Sequence, residues 1–136
     1  MDLGAGAELH LFNTHLGLLA RERAVQVEAL LGEGWLGHPA CRGRPLVLLG
    51  DLNAPPCSRA YRRLVGRLRD AQRVLPGHRP RPTFPTRWPL LRIDHVLLGG
   101  GVEVRRVEVR HGPLERAASD HLPLVVDLAI RAPGSP

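Results

Sequence analysis

The sequence predicts an α/β domain built on a mixed β-sheet of about five strands with flanking helices. Apolar residues alternate or run unbroken over short stretches at 8–13, 45–49, 90–98, 102–109 and 122–130, which is strand spacing. Across 18–31 and 58–68 the chain takes on helical character instead. Polar clusters also sit at strand ends in a fixed sense: His15 and Asp51 follow their strands, whereas Asp120 and His121 precede theirs. If these groups share one rim, the last strand opposes the first two and the sheet is mixed.

Taken in order, residues 8–13 place Leu9 and Leu11 on one face of a strand. A turn at Leu16-Gly17 follows. Over 18–31, Ala20, Ala24, Val27 and Leu31 form a helical stripe, with Arg21, Glu22, Arg23 and Glu28 mostly away from it, and Gly32 and Gly34 end the helix. The unbroken run at 45–49 suits a strand covered on both faces, and Asp51 begins where it stops, so the strand delivers that carboxylate to a rim. Ser58 reads as the N-cap of a helix reaching about Leu68. Pro, Gly and Arg dominate 75–89, a loop expected to be flexible. Strands at 90–98 and 102–109 are joined tightly through Gly99-Gly100-Gly101, a final strand covers 122–130, and 131–136 reads as an unstructured tail.

At 136 residues with 43% hydrophobic content, the chain suffices for a single domain over 1–136 with a sizeable core. The formal charge of +6 is carried wholly by Arg, because all 19 basic residues are Arg. A planar guanidinium suits phosphate, yet a codon bias that fills every basic surface position with Arg accounts for it as well. Cys41 and Cys57 lack finger or CxxC spacing, which argues against a structural zinc or a disulfide framework. No stretch is long enough to span a membrane, and the residues after Met1 lack the regions of a signal peptide. A soluble, cytoplasmic protein is the expectation.

Four polar signatures carry the chemistry: Asn13-Thr14-His15-Leu16, Gly50-Asp51-Leu52-Asn53-Ala54, Arg92-Ile93-Asp94-His95 and Ser119-Asp120-His121. A carboxylate and a carboxamide two positions apart, Asp51 and Asn53, can orient a water molecule and a phosphate oxygen together; an Asx turn closing a strand explains them equally well. Asp120 beside His121 pairs a hard oxygen ligand with an imidazole, though a Ser/Asp turn before a strand gives the same pattern. Asp94 falls in an otherwise apolar strand and needs a partner, for which His121 is the choice; a carboxylate fixing the tautomer of a catalytic His is a recurrent arrangement. His95 points to the other face and reads as a packing or surface residue. His15, beside Asn13, is placed to bind a phosphoryl oxygen or is simply a surface residue at a strand end. Arg87 and Trp88 are placed to clamp or stack on a substrate, or else Trp88 covers the core. Together the four signatures point to metal-assisted hydrolysis of a phosphate ester.

In this order, and with Thr83-Phe84-Pro85 ahead of Arg92-Ile93-Asp94-His95 and Leu122-Pro123-Leu124 after His121, the signatures resemble the endonuclease/exonuclease/phosphatase family of deoxyribonuclease-I-like phosphoesterases. The resemblance runs from about Glu8 to Ile130. It implies a metal-dependent hydrolase acting on a phosphodiester or phosphomonoester, with Mg²⁺ or Mn²⁺ as cofactor and a nucleic acid, lipid or sugar phosphate as substrate. His15 would contact the scissile phosphate; Asn13, Arg87 and Trp88, read from the residues themselves, are further candidate substrate contacts. Asp51 and Asn53 would position water and phosphate, Asp94 would orient His121, and Asp120 would ligate the metal. Whether Asp51 or the Asp94–His121 pair takes the proton stays open.

The family's fold resembles two similar halves forming a four-layer α/β/β/α sandwich, and this chain matches the second half only. An Asn and a metal-binding Glu normally brought by the first half have no counterpart here. The chain is therefore expected to be a partial domain with weak cation binding and little turnover alone. It is also expected to expose an apolar sheet face, from residues such as 46–49 and 124–130, through which it associates. Two other readings stand beside this one: an inactive scaffold that binds phosphate through Arg79, Arg81 and Arg87, and an Arg-rich nucleic-acid-binding module whose Asp/His clusters are only turns.

Overall fold

A computed structural model describes residues 8–130. The tail expected at 131–136 lies outside the described residues. In chain order the elements are β1 (His10–Asn13), α1 (Ala20–Leu31), β2 (Leu46–Asp51), α2 (Arg59–Val65), β3 (Arg69–Asp70), α3 (Ala71–Val74), β4 (Asp94–Gly99), β5 (Val102–Val109), α4 (Pro113–Ala118) and β6 (Leu124–Ile130). The mixed sheet is ordered β1-β2-β4-β3, with β1 parallel to β2 and the other pairs antiparallel. β5 and β6 pair antiparallel with each other as a separate two-stranded ribbon, bulged between Val104 and Arg106.

Central β2 explains its own unbroken apolar run. Leu46 and Leu48 pack with Leu97 against Val27 and Leu31 of α1 and Tyr61 and Leu64 of α2. Val47, on the opposite face, packs with Leu98, Val102 and Val107, and with the partly buried Val126 and Leu128 of the ribbon. The ribbon thus covers the face that the helices leave open. Its own outer face is charged: Arg106 pairs with Glu108 and lies 4.0 Å from Asp127, and Arg105 lies 3.0 Å from Glu103.

Several expectations change at this level. The broad apolar face anticipated over 46–49 is not exposed, because Leu46, Val47 and Leu48 are buried beneath the helices and the ribbon. What stays half-open is the seam where Leu49 and Val96 meet Leu124 and Val126. Leu11 is exposed although Leu9 is buried, since β1 is an edge strand with little above it. In α1 only Val27 and Leu31 are buried; Ala20 and Ala24 face solvent. The strand expected from residue 90 starts at Asp94, because Leu91 forms a bridge back to Phe84 and closes a loop of its own. The loop at 75–89 is tied down: Thr86 N donates to Asp120 O at 2.8 Å, Thr86 Oγ1 to Ser119 O at 2.9 Å, and Leu122 N to Thr83 O at 2.8 Å. Ser58 does cap α2, accepting from Tyr61 N at 3.2 Å. No described helix is long and apolar enough to cross a membrane.

Candidate active site

Parallel β1 and β2 end together, and the antiparallel register sets Asp51 at the end of β2 opposite Asp94 at the start of β4. One edge of the sheet therefore gathers Thr14, His15, Asp51, Asn53 and Asp94. Close approach here depends on Gly50, with φ +136°: a Cβ would lie 1.9 Å from the Thr14 carbonyl oxygen. Asn53, at φ 45°, turns the chain back, and its N–H donates to Asp51 Oδ1 at 2.9 Å. The Asx turn and the functional reading are thus one structure: the turn is what aims Asp51 Oδ2 and the Asn53 carboxamide outward.

His121 enters from the segment before β6. Its Nδ1 lies 2.7 Å from Asp94 Oδ2, which also accepts from Thr83 Oγ1 at 2.5 Å. A carboxylate oxygen can only accept, so the imidazole proton sits on Nδ1 and leaves Nε2 with its lone pair directed outward. That Nε2 is 3.8 Å from Asp51 Oδ2, and His15 Nε2 is 3.6 Å from the same oxygen. Both gaps exceed hydrogen-bond length, and a water, which has two protons to donate, can bridge Asp51 Oδ2 to His121 Nε2. Asn53 Nδ2 donates to Leu16 O at 2.7 Å, which fixes the amide orientation, and approaches His15 Nε2 at 3.1 Å. Both amide protons are then engaged, which leaves Oδ1 as the acceptor of the carboxamide. Burial pulls the His121 imidazolium down, but the Asp94 hydrogen bond and the charges of Asp94, Asp51 and Asp120 outweigh it, and the net shift is upward from 6.5.

His15, Asp51, Asn53, Asp94 and His121 are brought together. Asp120 is exposed beside His121, its backbone oxygen tied to Thr86 N. Asn13 is exposed at the end of β1, and Arg87 and Trp88 project from the tied loop, with Trp88 77% exposed rather than covering the core. Sequence reasoning left out three contributors. Thr83 is buried beneath Asp94, Phe84 packs against the His121 ring with centroids 4.8 Å apart, and Ser119 Oγ accepts from His121 N at 3.0 Å. Thr83-Phe84-Pro85 was visible as a motif; nothing local tied it to His121. His95 is buried, at 2% exposure, not at the surface.

Asp51, Asp94 and His121 each offer one donor atom, all within 4.8 Å of one another, a mixed oxygen and nitrogen set that fits a divalent cation. Because Asp94 and His121 already bond each other, Asp51 Oδ2 is the open oxygen of the three. A cavity of about 380 Å³ adjoins them, walled by Leu49, Val96, Pro123 and Leu124.

The sequence matches the profile of the Endonuclease/Exonuclease/phosphatase family over residues 8–121. Among solved structures the fold superposes on the human Nocturnin catalytic domain with a TM-score of 0.76 at 24% identity, covering 95% of this chain and 50% of that one. A mannosyl-6-phosphatase from Bacteroides thetaiotaomicron gives a TM-score of 0.73 at 26% identity, covering 93% and 53%. A functionally unknown conserved protein from Enterococcus faecalis gives 0.75 at 24%, covering 89% and 50%. The chain spans about half the length of each of these structures. Comparison with curated protein sequences finds no match.

Proposed function

Because the chain belongs to the endonuclease/exonuclease/phosphatase family, which is generally hydrolytic and divalent-metal dependent, we propose that it carries one set of the catalytic groups of a metal-dependent phosphoesterase. The observation that supports this reading is the line Asp94–His121–Asp51, with an imidazole lone pair and a carboxylate oxygen facing each other across a 3.8 Å gap. A water seated there loses a proton to His121 Nε2 as its oxygen attacks phosphorus, and the ester P–O bond breaks to release the alkoxide, which takes up a proton from solvent. Asp94 holds the Nδ1 proton and stabilises the imidazolium that forms, as a triad carboxylate does. Asn53 and His15 steady the water and a phosphoryl oxygen. Asp51 Oδ2, the open oxygen of the Asp51–Asp94–His121 set, would hold the cation, Mg²⁺ or Mn²⁺, which would supply Lewis-acid polarisation and charge neutralisation; Asp120, the ligand that the family resemblance implies, stands outside that set. Arg87 and Trp88, exposed on the loop that Thr86 ties to Ser119 and Asp120, would contact the rest of a phosphate ester, nucleic acid included.

Hydrolysis of bis(p-nitrophenyl) phosphate with added Mg²⁺ or Mn²⁺ tests this. Turnover should stop on chelation and fall by about 10²-fold or more in Asp51→Asn and His121→Ala. Release that ignores both substitutions, or no release at all, overturns the catalytic reading. In the second case, phosphate binding lost on replacing Arg79, Arg81 and Arg87 would favour an inactive phosphate-binding scaffold.

A further inference from the structure

Behind the rim lies a second polar cluster, sealed in the core, that the proposed reaction does not touch. The Asp70 carboxylate accepts from Tyr61 Oη at 2.6 Å, from Gln72 N at 2.9 Å and from Arg92. His95 stands against it, its side chain fully buried, with its ring 4.9 Å from that of Tyr61 between centroids and its Nδ1 3.9 Å from Asp70 Oδ2. His95 Nε2 lies 2.8 Å from the Ala54 carbonyl oxygen. A carbonyl only accepts, so Nε2 bears the proton and Nδ1 is bare; it is also a buried atom with no hydrogen-bond partner.

An imidazole here is a costly filler, since an aromatic hydrocarbon ring of similar shape would avoid the unpaired nitrogen. What the imidazole alone provides is the bond to Ala54, the residue after Asn53. The turn that presents Asp51 and Asn53 is strapped on each side of Asn53: Leu52 N donates to Ile93 O at 2.8 Å, and His95 Nε2 donates to Ala54 O. Both straps come from the residues flanking Asp94. We infer that His95 is a positioning residue: its Nε2–H bond to Ala54 holds Asn53 in its left-handed conformation and sets the Asp51–Asn53 turn in register with Asp94 and His121. This inference rests on the phosphoesterase reading for its kinetic arm only.

His95→Phe keeps the ring and removes the donor, whereas His95→Gln shortens the reach but keeps a donor. In the hydrolysis assay, His95→Phe should lower kcat by about 10- to 100-fold with KM within about twofold, and His95→Gln should recover part of the loss. In parallel, the Asn53 side-chain amide resonances should shift and exchange faster in His95→Phe. A variant that only loses thermal stability, with kcat and the Asn53 resonances unchanged, overturns the inference. If the unmodified chain has no turnover, the function reading fails and the Asn53 resonances alone decide the positioning. Should His95→Phe not fold, the unmodified chain still answers: a ring-nitrogen spectrum showing the Nδ1–H tautomer of His95 overturns the inference, and Nε2–H supports it.

Discussion

One oxygen, Asp94 Oδ2, serves both the Thr83 hydroxyl and His121 Nδ1, so a single change there should disorganise the site without unpacking the core. Asn at 94 keeps the shape but can present an N–H toward Nδ1, which reverses the imidazole tautomer and occupies Nε2 with the proton. Asp94→Asn is expected to lower kcat by about 10²- to 10⁴-fold while far-UV circular dichroism stays unchanged. A raised KM with kcat unchanged would instead mark a binding defect. The two histidines flanking this carboxylate also have opposite linkage signs. Burial holds His95 below the ordinary 6.5, so the unfolded chain takes up a proton that the folded chain refuses, and stability falls as pH drops below 6.5. The pKa of His121 is raised, so its contribution is full below 6.5 and is lost as pH rises through the raised value. Urea midpoints across about pH 5 to 8 should therefore lose part of their acid limb in His95→Phe and part of their alkaline limb in His121→Ala. The opposite pairing of limb and variant would refute the assignment.

At the scale of elements, the turn after β2 is the fragile part. Gly50 admits no side chain against Thr14 O, so Gly50→Ala must push β1 and β2 apart at the rim, at a cost of about 2–4 kcal/mol read as a lower urea midpoint. An unshifted midpoint would mean that the strand ends yield freely. Much of this architecture was legible in the sequence because its signals are local: the unbroken run of β2, the Ser58 cap, and polar residues set where apolar runs stop. The partnership of Asp94 with His121 was legible as well, since a carboxylate in an apolar strand needs an imidazole. What was hidden is non-local. That β5 and β6 leave the mixed sheet and fold over it is decided by pairing over long sequence separation, for which alternation of side chains carries no sign. Two-residue β3 and four-residue α3 are too short to imprint a period. The Tyr61–Asp70–Arg92–His95 cluster joins α2 and β3 to the Arg92–His95 signature, and no single stretch of sequence shows all of them.

For the whole molecule, the sheet has two unequal coverings. Helices α1 and α2 bury their face with large residues such as Tyr61 and Leu64, among the most enclosed side chains. The ribbon covers the other face less fully: Leu124, Val126, Leu128 and Ile130 pack on Val47 and Leu98 yet stay half-exposed, as do Leu49 and Val96. That open seam runs into the cavity beside Asp51 and His121, so the surface that lacks cover and the surface that bears the chemistry are continuous. Half-covered aliphatic residues in water favour any contact that removes them from it, at about 25 cal/mol per Å². The outer face of the ribbon, with Glu103, Arg105, Arg106 and Asp127, offers no such gain. Association is therefore expected through the seam rather than through the ribbon's back. Sedimentation velocity of the chain alone should show a weight-average coefficient that rises with concentration, and a dye that reports apolar surface should bind less as it does. Because the seam adjoins the site, association should also slow hydrolysis per chain at high concentration. A concentration-independent monomer that binds no dye would mean that the ribbon seals the sheet unaided.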